Sequence, residues 1–336
     1  MKKLLETLRG KKFETPPIWI MRQAGRYLPE YLETRKQAGS FLDLCYNPKL
    51  ASKVTLQPIE RFNFDGSIIF SDILIILDAL GVKVQFIKGE GPKLDFNGNL
   101  DDLSLNIDKL KPIYETVKLV KQGLDEDKTL IGFCGAPFTV ACYLIEGGGS
   151  KNFDKVKRLA IKDQSYFSQI IDILIENSVN YLQGQIDAGA EVIKLFDSWA
   201  GILSQEQYFK WVIEPNIQIV EKLKVKNPNI PVICFPKGSG VLYADFAKNV
   251  NCTAIAIDQQ VNRIWAKEIL SQKHNKIIQG NLDNYLLAYG NLDQIQNQVK
   301  NILNDFKDVN FIFNLGHGIL PDTKIQNVQK VIDLVR

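Results

Sequence analysis

The chain has 336 residues, of which 45% are hydrophobic and 24% are charged, and its 41 Lys and Arg against 38 Asp and Glu give a formal net charge of +3. This composition is typical of a globular protein with a large core, and it excludes disorder as the main character of the chain. The balanced charge indicates no general affinity for nucleic acid or for a membrane surface.

The amino terminus and the cysteines predict a cytoplasmic protein. Glu6 interrupts the first apolar run, so no secretory signal is expected, and the most apolar stretch, residues 67–80, is too short to span a bilayer. The cysteines are odd in number and form no C-x-x-C pair, which argues against a disulfide framework and a structural zinc site. They are Cys45, Cys134, Cys142, Cys234 and Cys252.

Short apolar runs alternate with longer segments of helical pattern along the chain. The predicted strands are residues 18–21, 67–70, 130–134, 192–196, 232–235, 254–257, 277–279 and 310–315. The predicted helices are residues 48–62, 111–122, two within 152–188, 205–225, 261–272, 292–306 and 323–335. The runs are short and apolar enough to be strands that are buried on both faces.

This alternation predicts a single (β/α)8 TIM barrel domain over residues 1–336. A doubly wound parallel sheet is the alternative, because the number of short strands is easily miscounted. Two further runs, residues 82–86 and 93–96, flank the glycine-rich residues 89–92. This pattern predicts a β-hairpin inserted after the second strand.

Three arginines, Arg22, Arg26 and Arg35, follow the first predicted strand. A guanidinium group binds a carboxylate through two parallel hydrogen bonds and keeps its charge at any working pH. Because active sites of such barrels lie at the carboxyl ends of the strands, the cluster predicts a site for a small molecule with several negative charges. The alternative is a solvated surface on which Glu30 and Glu33 pair with the arginines.

Asp72 lies inside an apolar run, between residues 68–70 and 73–76. A carboxylate in such surroundings costs free energy unless it meets a cation or several N–H donors. A partner of that kind would place Asp72 in a binding site. The alternative is that Asp72 caps the next helix, and the local sequence favours neither.

His317 follows the last predicted strand between Gly316 and Gly318, which have no side chains to keep a ligand away. It is therefore a candidate ligand contact, with a structural role as the alternative. Tyr143 and Ser198 give only weak signals, because residues of these types near loops usually pack or cap.

Several common chemistries lack their motifs. There is no phosphate-binding G-x-x-x-x-G-K-[ST] sequence, no full dinucleotide fingerprint and no H-E-x-x-H sequence. With two histidines and no paired Cys/His spacing, a catalytic zinc site is not expected. The candidate site consists of arginines, one aspartate, one histidine and hydroxyl groups.

Six segments, in this order, closely resemble the uroporphyrinogen decarboxylase family. They are residues 21–31 (MRQAGRYLPEY), 70–74 (FSDIL), 135–139 (GAPFT), 146–149 (EGGG), 196–201 (FDSWAG) and 315–318 (LGHG). The resemblance implies a barrel that forms a homodimer and acts in haem biosynthesis without a metal or an organic cofactor. Phe138, where tryptophan is expected, and Leu77, where proline is common, depart from the family pattern, and neither is a functional position.

The resemblance also implies roles for individual residues. The implied substrate contacts are Arg22, Gln23, Ala24, Gly25, Arg26, Asp72, Tyr143, Ser198 and His317, with Arg35 as a further basic candidate. Phe133 and Phe196 match apolar positions that face the substrate's macrocycle. Asp72, Arg22 and Tyr143 are the expected catalytic residues.

The implied reaction converts the four acetate arms of uroporphyrinogen III to methyl groups, giving coproporphyrinogen III and four CO2. Because the chain has no pyridoxal or thiamine motif, the pyrrole itself has to accept the electrons of the breaking C–CO2 bond after a ring carbon is protonated. Asp72 is expected to stabilise the cation formed in this way. The proton donor stays open among an arginine, a bound water and the substrate.

Two alternatives belong to other functional classes. Cobalamin-linked methyltransferases have a similar barrel and hold zinc through an H-x-C motif and a later cysteine, but here Val232 precedes Cys234 by two positions and no cysteine follows Cys252. A non-catalytic tetrapyrrole-binding protein is the second alternative. Asp72 argues against it, because a binder of carboxylates gains nothing from an acid among arginines.

Overall fold

The computed structural model describes residues 1–87 and 89–336. Within these ranges there are nine strands: β1 (Gly66–Ile68), β2 (Lys83–Ile87), β3 (Gly91–Asp95), β4 (Thr129–Gly135), β5 (Val192–Asp197), β6 (Val232–Pro236), β7 (Ala254–Ala256), β8 (Ile277–Leu282) and β9 (Phe311–Leu315). Seven of them form one parallel sheet in the order β1-β4-β5-β6-β7-β8-β9. Strand order follows chain order without a reversal, so the doubly wound alternative is wrong.

Helices connect successive strands of this sheet. The α-helices are α1 (Lys3–Leu8), α2 (Pro29–Gln37), α3 (Phe41–Cys45), α4 (Pro48–Phe62), α5 (Ile75–Ala79), α6 (Lys111–Gly123), α7 (Pro137–Glu146), α8 (Asp154–Lys162), α9 (Gln164–Asp187), α10 (Gln205–Tyr208), α11 (Glu214–Lys226), α12 (Tyr243–Asn249), α13 (Arg263–Ala266), α14 (Asn284–Tyr289), α15 (Leu292–Phe306) and α16 (Ile325–Val335). Two π-helical segments, Phe209–Ile213 and Lys267–Lys273, continue α10 and α13. Short 3₁₀ turns cover Leu100–Asp102, Ile107–Leu110, Ala200–Ile202 and Gly240–Leu242.

The first predicted strand, residues 18–21, is not a strand, and only Ile18 forms a parallel bridge, to Phe313 of β9. The backbone N–H groups beyond it bond to side chains instead. Ile20 N donates to Gln23 Oε1 at 3.1 Å, and Met21 N donates to Asn314 Oδ1 at 3.0 Å. Side-chain amides thus satisfy donors that a neighbouring strand would otherwise satisfy.

The same segment touches both edges of the seven-stranded sheet. Phe313 N of β9 donates to Pro17 O at 2.9 Å. On the other edge, Asp65 N, immediately before β1, donates to Ile18 O at 2.9 Å. These contacts bring the two edge strands towards each other, so the parallel sheet is curled.

Strands β2 and β3, between β1 and β4 in the chain, pair antiparallel with each other, with Lys83 opposite Asp95. The hairpin predicted here includes Lys88, which lies outside the described residues. The two strands pack against the loop after α7, where Leu94 N donates to Gly147 O at 3.1 Å. Gly148 would place an added Cβ 2.6 Å from Pro92 O, so this close approach requires a glycine.

Three strands of the parallel sheet, β4, β6 and β9, are buried along their whole length. Helices therefore cover the outer face, and the inner face is filled with side chains. Within the described ranges, none of the helices has the length and apolarity that crossing a membrane requires. The five cysteines are all buried and unpaired.

Candidate active site

The loop before β1 holds Arg22 at the carboxyl-end edge of the sheet. Ile319 N, in the loop after β9, donates to Met21 O at 3.0 Å and fixes the start of the turn. Arg22 has a φ of 62°, in the left-handed region that residues other than glycine rarely adopt. Such conformations cluster at ligand sites, where the surrounding structure enforces them.

Gln23, expected to contact substrate, has a fully buried side chain that holds this turn from inside. Besides accepting from Ile20 N, its amide donates from Nε2 to Gly66 O at 3.0 Å. Its side chain therefore positions the loop. Ala24 and Gly25 are half-buried, and an added Cβ on Gly25 would lie 2.8 Å from Arg22 O, so the turn needs glycine there.

The three arginines have no carboxylate partner within 4.0 Å among the described residues. Glu30, the partner expected for a solvated surface, is instead paired with Arg61 at 2.6 Å. Arg35 donates to Gly39 O at 3.0 Å and lies 5.9 Å from the Phe41 ring centroid. The arginine charges are thus left available for a ligand.

Asp72 follows β1, and its carboxylate is only partly satisfied by the protein. Its Oδ1 accepts from Leu74 N at 2.9 Å, while Oδ2 makes no hydrogen bond to another described residue. Asp72 does not cap α5, since that helix begins after Leu74 with no side-chain cap. Burial, which disfavours the charged form, raises the pKa of Asp72. The hydrogen bond from Leu74 N–H and the charge of Arg22 oppose this shift.

Tyr143, near the carboxyl end of α7, lies beside these two charges. Its ring is 6.1 Å from the ring of Trp199. Burial raises the pKa of its hydroxyl, and the charge of Asp72 acts in the same direction while that of Arg22 opposes it. Since both charges act on one hydroxyl, Tyr143, Asp72 and Arg22 share one small region.

Ser198 lies half-buried in the loop after β5, between two fixed neighbours. Thr139 Oγ1 donates to Asp197 Oδ1 at 2.6 Å and accepts from Trp199 N at 3.1 Å. Burial raises the pKa of the Asp197 carboxyl to about 6. The threonine thereby ties α7 to this loop and restricts where Ser198 points.

Phe133 of β4 and Phe196 of β5 form an apolar wall inside the curled sheet. Their ring centroids are 5.5 Å apart at an interplanar angle of 85°, an edge-to-face contact. Phe235 of β6 extends this wall, with its centroid 6.5 Å from that of Phe196. A flat, apolar molecule with charged edges could lie against these rings and reach the charges of the neighbouring loops.

His317 lies half-buried in the loop after β9. Burial, and then the charges of Lys237 and Arg22, lower the pKa of its imidazole to about 4, so it is neutral at pH 7. An added Cβ on the neighbouring Gly318 would lie 2.5 Å from Arg22 Cδ, so the arginine side chain passes directly over this glycine. The Arg22 side chain therefore lies against the backbone next to His317, which the lack of a side chain on Gly318 allows.

The charge of Arg22 thus acts on Asp72, Tyr143 and His317, and the charge of Asp72 acts on Tyr143. Arg26 and Arg35 lie further out, where both charges act on the Tyr31 hydroxyl. The sequence analysis did not single out Lys237. The available signal was its place two residues after the predicted strand 232–235.

Two surface cavities, of about 340 and 330 Å³, lie on the opposite face, near Pro231 before β6 and Asn310 before β9. Ligand sites of parallel α/β folds lie at the carboxyl ends of the strands, so we assign neither cavity to the reaction. In the described part of the chain, no three His, Cys, Asp or Glu side chains are grouped to hold a metal ion.

Comparison with known proteins points to one family. The family model described as "Uroporphyrinogen decarboxylase (URO-D)" matches residues 1–336. A protein of Jannaschia sp. (strain CCS1) named uroporphyrinogen decarboxylase is 46% identical and covers 100% of this chain and 98% of its own length. One of Rhodospirillum rubrum with the same name is 45% identical, with coverages of 100% and 97%.

Among solved structures, a methyltransferase from Methanosarcina mazei superposes with a TM-score of 0.80 over 99% of this chain and 97% of its own. The two sequences are only 19% identical, so this likeness concerns the fold alone.

Proposed function

The chain belongs to the uroporphyrinogen decarboxylase family, and we propose that it is a carboxy-lyase that removes the four acetate carboxyl groups of uroporphyrinogen III to give coproporphyrinogen III and four CO2. The observation that supports this most directly is the carboxylate of Asp72, which keeps one oxygen free beside Arg22 and Tyr143. A site for a polyanion has no need of an anion at its centre unless a positive charge appears there.

The proposed chemistry produces that positive charge. A proton adds to a pyrrole carbon, the C–CO2 bond breaks, and its electron pair neutralises the ring cation as CO2 leaves. The exocyclic methylene then takes up a proton to become methyl, and the ring carbon loses the proton it gained. Each cycle thus replaces one carboxylate with one hydrogen, and the electron sink is the substrate itself.

Asp72 acts on this reaction as a fixed counter-charge. Its free oxygen accepts hydrogen bonds from pyrrole N–H groups, and its charge stabilises the cation more than the neutral ring. Charge preorganised away from bulk water stabilises a transition state more strongly than the same charge in water. Burial raises the pKa of Asp72, while the Leu74 N–H and the charge of Arg22 oppose this shift and favour the ionised form that this role requires.

The remaining residues hold and orient the acid arms. Arg22, with Arg26 and Arg35 further out, binds carboxylates, each charge-assisted hydrogen bond contributing about 1.5–3 kcal/mol. Ser198 and the neutral His317 offer uncharged hydrogen-bonding groups, and Tyr143 lies where it orients the reacting acetate. The edge-to-face rings of Phe133 and Phe196 pack against the macrocycle.

In this proposal residues 1–336 form one closed (β/α)8 barrel. The segment around Ile18 takes the position of the eighth strand, between β9 and β1. The contacts of that segment with both sheet edges support closure, and β2 with β3 is the proposed hairpin insertion. The protein is further proposed to be cytoplasmic, supported by its unpaired buried cysteines, and homodimeric. Light scattering tests the last point against a chain mass of 38.1 kDa.

The decisive experiment incubates the purified, metal-free protein anaerobically with uroporphyrinogen III and separates the oxidised products by carboxyl number. Products with seven to four carboxyl groups are expected. Tight binding without any loss of carboxyl groups would instead identify a tetrapyrrole-binding protein and remove the mechanistic role of Asp72.

A further inference from the structure

Lys237 directly follows β6, the central strand of the seven-stranded sheet, and its backbone is tightly fixed. Lys237 N donates to Asp197 O at 3.1 Å, and Lys237 O accepts from Gly201 N at 3.1 Å. The next residue, Gly238, donates from its N–H to Asp258 Oδ2 at 2.8 Å. The loops after β5 and β7 therefore both hold this position in place.

The Lys237 side chain points towards the site. Its Nζ lies 6.0 Å from the ring centroid of Trp199, whose ring also packs against Tyr143. The charge of Lys237 lowers the pKa of His317 more than Arg22 does. No carboxylate of the described residues lies within 4.0 Å of Lys237 Nζ, so this charge is not neutralised by an ion pair.

Lys237 also differs from the other residues that follow the parallel strands in carrying a positive charge. Of the five residues that follow each of the seven parallel strands, it is the only Lys or Arg. Arg22 and Arg26 lie elsewhere, on the arginine loop (residues 21–28) before α2, beside the sheet edge where Ile18 bridges β9. In a curled sheet the central strand lies across the opening from the edges, so Lys237 and the arginine loop face each other across the site.

We propose that Lys237 is a substrate-binding residue that receives a carboxylate arm of the macrocycle on the side of the site opposite the arginine loop. The inference rests on the proposed function, in which a cyclic substrate has acid arms around its whole circumference. Arginines on one side reach only part of that circumference. Lys237 supplies the facing charge, and stacking on Trp199 keeps its ammonium over the opening.

The test compares Lys237→Met and Lys237→Arg in the full-length protein. Losing one charge-assisted hydrogen bond is expected to raise KM for uroporphyrinogen III about tenfold with little change in kcat. The arginine variant, which keeps the charge, is expected to stay within about threefold of wild type. Lys210→Met is the matched control, because Lys210 also lies over a tryptophan, 4.7 Å from the Trp211 ring, but on a helical segment away from the strand ends.

A second measurement is independent of turnover. The chain has only two histidines, so NMR of labelled imidazoles, assigned with His274→Gln, follows His317 alone. Lys237→Met is expected to raise the pKa of His317, and Lys210→Met to leave it unchanged. An unchanged titration in Lys237→Met would show that the ammonium does not face the site and would overturn the inference.

The outcomes separate the inference from the proposed function. If the wild type removes no carboxyl groups, the proposed function fails, and the same variants are then compared by Kd for uroporphyrinogen III. If KM, or Kd in that case, differs less than twofold between Lys237→Met and wild type, Lys237 is not a binding residue. If Lys237→Arg raises KM or Kd as much as Lys237→Met does, packing on Trp199 and not the charge is responsible. This result would also overturn the inference.

Discussion

Two regions of this molecule hold positive charge in opposite ways. At the opening, Arg22, Arg26 and Lys237 lie on loops, accessible to solvent or ligand, and no described carboxylate lies within 4.0 Å of them. Inside the curled sheet, Lys194 is fully buried, and its Nζ has no hydrogen-bond partner within residues 1–87 and 89–336. It lies instead among three aromatic rings, 5.3, 5.1 and 5.5 Å from the centroids of Trp19, Phe196 and Phe235.

The comparison shows that exposure to water determines whether a basic side chain stays protonated in this protein. Burial lowers the pKa of Lys194 from its usual 10.5 to about 7, despite the aromatic rings around it. Arg22 and Arg26 at the opening are instead exposed to solvent, where an anionic ligand can reach them. Two of the rings around Lys194, those of Phe196 and Phe235, belong to the wall that the macrocycle is proposed to contact.

The largest effect is expected from a substitution of Asp72. Asp72→Asn keeps the side-chain shape but removes the charge that opposes the ring cation, so kcat should fall about 100- to 1,000-fold while KM changes little. Steady-state kinetics with uroporphyrinogen III measures both constants. Near-normal turnover of this variant would rule out an electrostatic role for Asp72.

Arg22→Lys keeps a cation at the opening but removes the planar fork. Because an ammonium cannot bind a carboxylate through two parallel bonds, kcat/KM is expected to fall about tenfold or more. Arg61→Lys is the control, since Arg61 has a similar fork that is already paired with Glu30. Equal effects of the two variants would remove Arg22 from the carboxylate-binding set.

Replacing the interior cation should increase stability instead. Lys194→Met removes an unsatisfied buried ammonium while keeping the shape of the chain, so the free energy of unfolding at pH 7 is expected to rise by about 1–3 kcal/mol. Denaturant titration measures it. Lys128→Met is the control, because Lys128 is buried but paired with Asp127 at 2.9 Å, and no gain is expected there.

The same variant has a defined pH signature. The unfolded chain binds a proton at Lys194 up to about pH 10.5, whereas the folded chain releases it near pH 7. Between these values the unfolded state binds more protons, so this residue makes the free energy of unfolding rise with pH. The difference between wild type and Lys194→Met should therefore shrink from pH 7 to pH 10; a constant difference would contradict the shift.

The smallest effect should come from Gly318→Ala. An added methyl group would displace the Arg22 side chain, whose Cγ and Cδ lie 3.0 and 2.5 Å from the position it would take. Since a flexible side chain can move, stability should be unchanged while KM rises about threefold. An unchanged KM would show that Arg22 binds substrate from another position.

The sequence predicts much of the fold because hydrophobic periodicity is local. The predicted helix over residues 48–62 coincides with α4, and seven of the eight apolar runs became strands of the parallel sheet. The run 18–21 did not, because two side-chain amides accept the hydrogen bonds that a partner strand would accept. They belong to Gln23, which is close in the chain, and to Asn314, which is distant. The pattern of one segment contains no information about such a partner.

For the site, the motifs predicted which loops and residue types to consider, including the arginines and Asp72. Only the tertiary structure decided which polar groups are free. Gln23 holds a turn, Glu30 pairs with Arg61, and the charge of Lys237 lowers the pKa of His317. These outcomes depend on distances between residues that are far apart in the chain, and burial and ion pairing are set by those distances.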